Sequence, residues 1–264
     1  MKILTYNILY GGEDKDKSRI HLIEQVIRDI SPTVLTIQEA ELFDKDNYAK
    51  LKHFKSNINL PYWAYSKGYF RKNGRRFDVA TFSVIPLQKI TDFNETIRNG
   101  GLNVVVDSEF GKISICNTHL TPHTEDERLV ELDKMIESQL PYDNKIILGD
   151  LNSLARVDNY SKDEFDAFNS SQIKKFLKDG EPRYDVTDRL LNSGYIDVAY
   201  NLSCLEVTVP TASNVDVAHE CPLRLDYVFV SQSLLNNVSA IKVEKTDYSD
   251  KASDHYPVVL YLEK

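Results

Sequence analysis

The sequence lacks the features that mark several classes of protein. It has no run of about 18 apolar residues, so no segment is expected to span a membrane. It also has no Lys/Arg-rich block: 40 acidic residues outnumber 32 basic ones, and the formal net charge is -8. A strong electrostatic grip on nucleic acid is therefore not indicated, although an acidic protein can still bind phosphate through a metal ion.

Cysteine is scarce as well. Cys116, Cys204 and Cys221 are odd in number and have no zinc-finger spacing, which argues against a disulfide framework and a thiolate zinc site. The chain starts with Met1-Lys2 and passes directly into an apolar run, without the pattern of a secretory signal. We therefore expect a cytoplasmic protein, and the sequence predicts no obligate protein partner.

The chain has no internal repeat, low-complexity tract or Pro/Gly/Ser-rich linker, so residues 1–264 are expected to form a single domain. Short apolar runs predict strands at 2–6, 34–38, 78–83, 103–107, 112–118, 145–148, 225–230, 238–244 and 258–262. Apolar residues at three- and four-residue spacing predict helices at 18–30 and 124–140, with weaker patterns at 165–177 and 186–192. Asn73-Gly74 favours a tight turn, and 201–220 has the composition of a long polar loop. The mixture predicts an α/β fold with mixed sheets.

Polar or ionisable side chains stand at the ends of six apolar runs. Four runs lead directly into such groups, which are Asn7, Gln38-Glu39, His119 and Asp150-Leu151-Asn152. Two later runs are entered through Asp226 and through Asp254-His255. If the first four strands run one way and the last two run against them, one edge of the sheets collects Asn7, Glu39, His119, Asp150, Asn152, Asp226, Asp254 and His255.

The collected groups comprise four carboxylates, two carboxamides and two imidazoles. Four acids close together repel one another unless a cation lies between them, and hard oxygen ligands favour magnesium, manganese or calcium over zinc. Neither histidine belongs to the helical His-x-x-x-His pair of a zinc protease. The set suits hydrolysis of a phosphate ester, in which a carboxylate takes a proton from water and His/Asn donors bind the charge that grows on phosphorus.

The segments that carry these groups resemble the motifs of the endonuclease/exonuclease/phosphatase family, which has the deoxyribonuclease I-like fold. They are Thr5-Tyr6-Asn7-Ile8, Ile37-Gln38-Glu39, Asn117-Thr118-His119-Leu120, Gly149-Asp150-Leu151-Asn152-Ser153, Leu225-Asp226-Tyr227-Val228-Phe229-Val230 and Ser253-Asp254-His255-Tyr256-Pro257-Val258. All six occur in the family's order and span the whole chain. The resemblance implies an α/β fold of four layers, in which two packed mixed β-sheets are flanked by helices.

The resemblance also implies a metal site. Glu39 resembles the family's principal metal ligand, Asn7 lies beside it in the motif pattern, and Asp254 resembles a second acid on the metal side. The cofactor implied is Mg2+ or Mn2+, as one or two ions.

The remaining motif positions resemble catalytic groups. Asp150 corresponds to the group that activates water, and Asp226 to the acid that orients the catalytic histidine, here His255. Asn152 and His119 correspond to donors that face the phosphate.

The substrate is less closely specified. The Asn-Thr-His-Leu motif resembles the branch with deoxyribonuclease I, neutral sphingomyelinases, deadenylases and inositol phosphatases, whereas abasic-site endonucleases usually lack this histidine. We expect a phosphodiesterase that acts as a nuclease on DNA or RNA; the alternative is a phosphatase or phosphodiesterase acting on a phospholipid, an inositol phosphate or another small phosphate ester. Basic and aromatic residues at 67–76 form either a patch that faces the substrate or a solvated hairpin tip. Arg98 is a further candidate for contact with a phosphate.

Overall fold

The structure is a computed structural model that describes residues 1–13, 17–72, 74–214 and 216–264. Within these residues two six-stranded mixed sheets form. From one edge to the other, the first sheet consists of β13 (Val238–Val243), β14 (Val258–Leu262), β1 (Lys2–Asn7), β2 (Val34–Gln38), β4 (Val79–Ser83) and β3 (Tyr62–Ser66). In the same way, the second consists of β11 (Tyr195–Asp197), β12 (Asp226–Ser231), β8 (Asn144–Asp150), β7 (Gly111–His119), β6 (Gly101–Ser108) and β5 (Leu87–Asp92). A small hairpin joins β9 (Leu177–Lys178) and β10 (Glu181–Pro182).

Helices α1 (Ile20–Ile30), α2 (Lys45–Asn57) and α9 (Ser249–Ala252) cover the outer face of the first sheet, and α3 (Glu125–Gln139) and α6 (Asp185–Asn192) cover that of the second. The other helices are α4 (Lys162–Asp166), α5 (Ser170–Phe176), α7 (Val198–Asn201) and α8 (Gln232–Leu235). Short 3-10 turns occupy Tyr10–Gly12, Arg156–Asp158 and Val217–His219. No helix in the described ranges is both long and apolar enough to cross a lipid bilayer.

Three apolar layers hold this arrangement together. Between the sheets, side chains such as Val34 from β2 and Ile115 from β7 share one buried cluster. Outside the first sheet, Ile27 of α1 and Phe54 of α2 belong to a second cluster. Outside the second sheet, Leu132 of α3 packs with residues of α6. The expected four layers, helices on either side of two packed sheets, are therefore confirmed.

Strand directions bring the ends of the motif strands to one rim. β1 runs parallel to β2 and β7 runs parallel to β8, whereas β14 is antiparallel to β1 and β12 is antiparallel to β8. The carboxyl ends of four strands therefore lie at the same edge as the amino ends of two others. This confirms the direction assignment made from the sequence.

A buried polar bridge joins the two sheets just behind this rim. Gln38 Nε2 donates a hydrogen bond of 2.8 Å to Asn117 Oδ1, and Asn117 Nδ2 donates to the carbonyl of Ala80 at 2.9 Å. A buried amide that lost these partners would cost about 1–3 kcal/mol. Two motif residues thus act in the structure as a link between the sheets.

Several elements differ from the sequence prediction. The strands β3 and β5 and the helix α2 were not predicted, because their exposed edges and polar faces blur the apolar period. The predicted helix at 165–177 is divided into α4 and α5, because the Asn169 side chain accepts hydrogen bonds from Ser171 N and Gln172 N and begins a new helix. The predicted turn at Asn73-Gly74 includes a residue outside the described ranges.

Candidate active site

The predicted site residues from both sheets meet at the shared rim. Asn7 Nδ2, at the end of β1, lies 3.2 Å from Asp150 Oδ2 at the end of β8. The same nitrogen lies 3.5 Å from Glu39 Oε1, which follows β2. Asn7 Oδ1 accepts a hydrogen bond from Leu9 N at 3.1 Å, so a ligand role for this oxygen would use its second lone pair. The Asn7 side chain therefore links the carboxylates of Glu39 and Asp150.

Two of the rim residues hold unusual backbone conformations. Glu39 and Asn152 have φ angles of 58° and 51°, in the left-handed region that is uncommon for residues other than glycine. Such conformations cost about 1–3 kcal/mol and concentrate at functional sites. Hydrogen bonds hold each in place: Tyr10 N donates to Glu39 Oε2 at 2.9 Å, and Asn152 N donates to Asp150 Oδ1 at 2.8 Å.

Gly149 allows β7 and β8 to run side by side up to the rim. A Cβ at this position would stand 2.0 Å from the Thr118 carbonyl oxygen, and the φ angle is 133°. Only glycine fits this combination of close approach and backbone angle. The absence of a side chain at Gly149 therefore lets β8 pair with β7 as far as Asp150.

Asp226 and His255 form a short hydrogen-bonded pair. Asp226 Oδ2 lies 2.7 Å from His255 Nδ1, and both side chains are buried. Burial alone would lower the pKa of His255, but Asp226, followed by Asp254 and Asp150, raises the pKa to about 10. His255 Nε2, the other ring nitrogen, lies 3.9 Å from Asp150 Oδ2. The expected pairing of Asp226 with the histidine is therefore present, while the nearby Arg224 pairs with Asp158 and Asp197.

His119 approaches the same oxygen of Asp150 as His255 does. Its Nε2 atom is 3.4 Å from Asp150 Oδ2, and its ring stacks on Phe77 with centroids 5.8 Å apart. Burial lowers the pKa of His119 to about 3, so the ring is neutral at physiological pH. Its Nδ1 has no hydrogen-bond partner among the described residues. Asn152 Nδ2 donates to the Leu120 carbonyl at 2.8 Å, which ties the loops after β7 and β8 together.

The carboxylates of Glu39 and Asp254 fit a hard divalent cation. Both side chains line the same cavity. Burial, and to a smaller extent the negative charge of Asp254, raises the pKa of Glu39 to about 7. A cation between these oxygens would remove the repulsion and favour the ionised forms. The donors are oxygen atoms, which suits magnesium or manganese.

A second cluster of possible metal donors shares Asp254 with the first. His219, Asp254 and His255 place one ligand atom each within 4.8 Å of one another. Lys175 Nζ lies 3.3 Å from His219 Nε2, and a positive ammonium beside a ligand disfavours a cation there. The oxygen donors of Glu39 and Asp254 are the better set.

The rim residues border a cavity of about 90 Å³. It is lined by Leu9, Tyr10, Glu39, Arg71, Phe77, His119, Pro122, Asp150, Asn152, Lys175, Asp216, His219 and Asp254. Five predicted site residues are in this wall, while Asn7, Asp226 and His255 support it from behind. Sequence reasoning missed Lys175 and found no partner for His219, because neither lies at the end of a periodic strand.

The basic side chains of the segment 67–76 lie in two different places, some away from the cavity and one in its wall. Lys67 and Arg76 form ion pairs of 2.9 and 2.8 Å with Asp44, away from the cavity. Arg71 turns into the cavity, where its guanidinium carbon lies 3.6 Å from the centre of the Phe77 ring. Arg98 is not in the cavity wall; its backbone N–H donates to Glu131 Oε1 at 2.9 Å. Its contact with a phosphate stays a prediction.

Comparisons with known proteins agree with this arrangement of strands and motifs. The sequence model of the group described as "Endonuclease/Exonuclease/phosphatase family" matches residues 4–255. No curated protein matches the sequence.

Three solved structures illustrate the similarity of fold. An endonuclease/exonuclease/phosphatase family protein from Leptotrichia buccalis has 18% identity and a TM-score of 0.70, with 100% of both chains covered. An AP endonuclease from Archaeoglobus fulgidus has 17% identity and a TM-score of 0.72, again with 100% of both chains covered. A 3'-5' exonuclease from Neisseria meningitidis has 16% identity, a TM-score of 0.69 and the same coverage. At these identities the likeness is one of fold.

Proposed function

The chain belongs to the endonuclease/exonuclease/phosphatase family, and from this premise we propose that it is a divalent-metal-dependent phosphodiesterase that hydrolyses DNA or RNA. The observation that carries the proposal is the Asp226–His255 pair, which points its free ring nitrogen towards Asp150. A charged donor beside an ionised carboxylate, directly behind the wall of a small polar cavity, suits attack of water on phosphorus.

Asp150 is the proposed base. Burial would raise the pKa of Asp150, but His119 and His255 hold it below its ordinary value, so the carboxylate is ionised at neutral pH. It can therefore orient a water molecule and accept its proton. Asn7 and Asn152 N hold the two carboxylate oxygens and leave little freedom for the side chain to rotate.

Three donors are proposed to face the phosphoryl oxygens. His255 is held by Asp226 and can donate from Nε2 to the charge that develops in the transition state. His119 and Asn152 line the cavity together with Asp150. Donors fixed before the reaction stabilise a growing negative charge without a cost of reorganisation.

Glu39 and Asp254, with Asn7 beside them, would hold the metal ion. A divalent ion held there would supply positive charge that offsets the charge of the phosphate and makes phosphorus more electrophilic. The chain's own contribution is to present two oxygen ligands in fixed positions. Titration of the protein with magnesium measures whether one or two ions bind.

A substrate panel tests the proposal. Purified protein is assayed on single- and double-stranded DNA, on RNA and on small phosphate esters, with magnesium, manganese or chelator. We expect metal-dependent cleavage of a polynucleotide, reduced by about a hundred- to ten-thousand-fold in Asp150→Asn and His255→Ala.

Matched controls separate catalysis from folding. Asp179→Asn and His21→Ala change the same residue types at exposed positions and should retain wild-type rates. Hydrolysis retained in the Asp150→Asn/His255→Ala double variant would falsify the assignment. Cleavage at an undiminished rate with excess chelator would exclude the metal dependence.

A second candidate is a phosphatase or phosphodiesterase for a small ester, such as an inositol phosphate or a phospholipid head group. The cavity of about 90 Å³ and the net charge of -8 favour it. The same panel distinguishes the two, because a nuclease that grips several phosphates loses affinity steeply with salt, whereas a small ester makes fewer ionic contacts.

We also propose that residues 1–264 act as a single domain. The family match covers residues 4–255, and the first and last motif strands, β1 and β14, pair with each other. Limited proteolysis should yield no stable fragment that retains activity.

A further inference from the structure

Two segments outside the motifs pack together beside the cavity. Asn169, which caps α5, also donates hydrogen bonds to the Val217 carbonyl at 2.7 Å and to Glu220 Oε2 at 3.1 Å. Beneath them, Phe168 and Phe176 belong to an apolar cluster separate from the main sheet core. The packed segments each deliver one side chain to the cavity wall, Lys175 from α5 and His219 from the 3-10 turn.

Lys175 is a buried cation that forms no ion pair with a carboxylate of the described residues. Its side chain is 5% exposed, and its Nζ atom contacts His219 Nε2 at 3.3 Å. In the part of the chain that the structure describes, no carboxylate forms an ion pair with it, although Asp150 and Asp216 act on it from a greater distance. An ammonium group has three donors and is costly to bury without partners. Its donors are therefore available for an anion in the cavity.

The position of Lys175 is built into the active-site framework. Arg128, which is fully buried, donates a hydrogen bond of 2.7 Å to the Lys175 carbonyl. Arg128 also pairs with Glu125 at 2.7 Å, and Glu125 accepts from Ser153 Oγ at 2.6 Å, one residue after Asn152. The loop that carries Asp150 and the helix that carries Lys175 are thus tied to the same buried ion pair.

Lys175 and His219 continue the cavity wall beyond the proposed centre of hydrolysis. The ring of His219 meets the ring of His255 edge to face at 4.8 Å, its Nδ1 lies 3.5 Å from Asp254 Oδ2, and its Nε2 accepts from Lys175 Nζ at 3.3 Å. His255, His119 and Asn152 already supply donors for the phosphate that is hydrolysed. The ammonium group of Lys175 is therefore placed for an anionic group next to that phosphate.

We propose that Lys175, positioned by His219, forms a subsite for a second phosphate group of the substrate, adjacent to the one that is cleaved. This inference rests on the proposed phosphoester hydrolysis and adds a substrate class to it. The second phosphate belongs either to the neighbouring nucleotide of a polynucleotide or to a small bisphosphate. The two sources share the chemistry that the subsite recognises.

Pairs of substrates that differ by one phosphate test the subsite. The first pair is a thymidine dinucleotide with and without a terminal phosphate, placed at either end. The second is inositol 1-phosphate and inositol 1,4-bisphosphate. For one pair we expect wild-type kcat/KM to be about tenfold or more higher with the extra phosphate, as for a hydrogen bond to a charged group. The pair that shows the advantage identifies the source.

The variants Lys175→Met, Lys175→Arg and Lys174→Met assign the advantage to one side chain. Lys175→Met should bring the ratio within a pair close to one, Lys175→Arg should retain part of it, and the exposed neighbour Lys174→Met should keep the wild-type ratio. Thermal unfolding checks that Lys175→Met folds. A ratio near one in the wild type for every pair, or an unchanged ratio in Lys175→Met, overturns the inference.

An equilibrium measurement separates this inference from the proposed function. If the wild type cleaves none of the esters, the proposed function fails, and calorimetry with inorganic pyrophosphate and inorganic phosphate decides the subsite. Tighter binding of pyrophosphate to the wild type than to Lys175→Met supports the subsite. Equal binding to the two proteins, or no binding, rejects it.

Discussion

Asp226 Oδ2 and His255 Nδ1 lie 2.7 Å apart and join the two sheets at the active-site rim. Asp226 begins β12 in the second sheet, whereas His255 precedes β14 in the first. The hydrogen bond therefore depends on the packing of one sheet on the other. Any shift between the sheets would misplace His255 relative to Asp150.

Asp226→Asn should lower kcat by about a hundred- to ten-thousand-fold, because the amide lacks the negative charge that orients His255 and keeps its imidazole protonated. The isosteric change leaves the packing in place, so the thermal unfolding temperature should change little. Steady-state kinetics on the best substrate from the panel provide the measurement. Wild-type kcat in a well-folded Asp226→Asn protein would rule out the orienting role.

Glu39→Gln and His219→Gln distinguish the two possible metal sites. If Glu39 and Asp254 hold the ion, Glu39→Gln should weaken magnesium binding at least tenfold, because a charged oxygen ligand is lost. His219→Gln should leave the affinity within about twofold. Isothermal calorimetry with magnesium measures both, and the opposite ranking would assign the ion to the histidine cluster.

Gly149→Ala should destabilise the protein strongly, because its Cβ would collide with the Thr118 carbonyl at 2.0 Å between two buried strands. We expect a loss of about 3 kcal/mol or more in the free energy of unfolding, or failure to fold. Gly180→Ala is the matched control: its φ is also positive, at 84°, but no atom lies within 4 Å of the added Cβ. It should cost about 1 kcal/mol from backbone strain alone. Similar urea midpoints for the two variants would contradict the steric account.

Asp44 should make stability depend on pH in the acid range. Burial would raise the pKa of Asp44, but hydrogen bonds from Arg76 and Lys67 lower it below its ordinary value. A carboxylate with a depressed folded-state pKa contributes stability above its unfolded pKa of about 3.9, and this contribution is lost as pH falls through the folded value. Asp44→Asn should therefore destabilise the protein at pH 7, and the difference from wild type should shrink below about pH 4. Urea unfolding at several pH values measures it; a difference that is constant from pH 7 to pH 3 would contradict the ion-pair explanation.

The strand ends were predictable because their signal is local. An apolar run that stops at a polar side chain, as at Asn7 or Asp150, marks a buried strand reaching the surface. The paired directions of β1 with β2 and of β7 with β8 then bring such ends together. Edge strands such as β3 and β5 lack this signal because one face or one edge remains in solvent.

The sequence by itself determined the six motifs, the mixed α/β architecture and the acidic and imidazole inventory of the rim, because these follow from residue type and short-range period. Only the tertiary structure decided that Arg71, Lys175 and His219 enter the same cavity and that Lys67 and Arg76 turn away from it. Those positions depend on long-range contacts, above all the hydrogen bond from Arg128 to the Lys175 carbonyl and the packing of α5 on the 3-10 turn, which join residues far apart in the chain. Local sequence carries no signal for such contacts, since each partner alone is compatible with an exposed side chain.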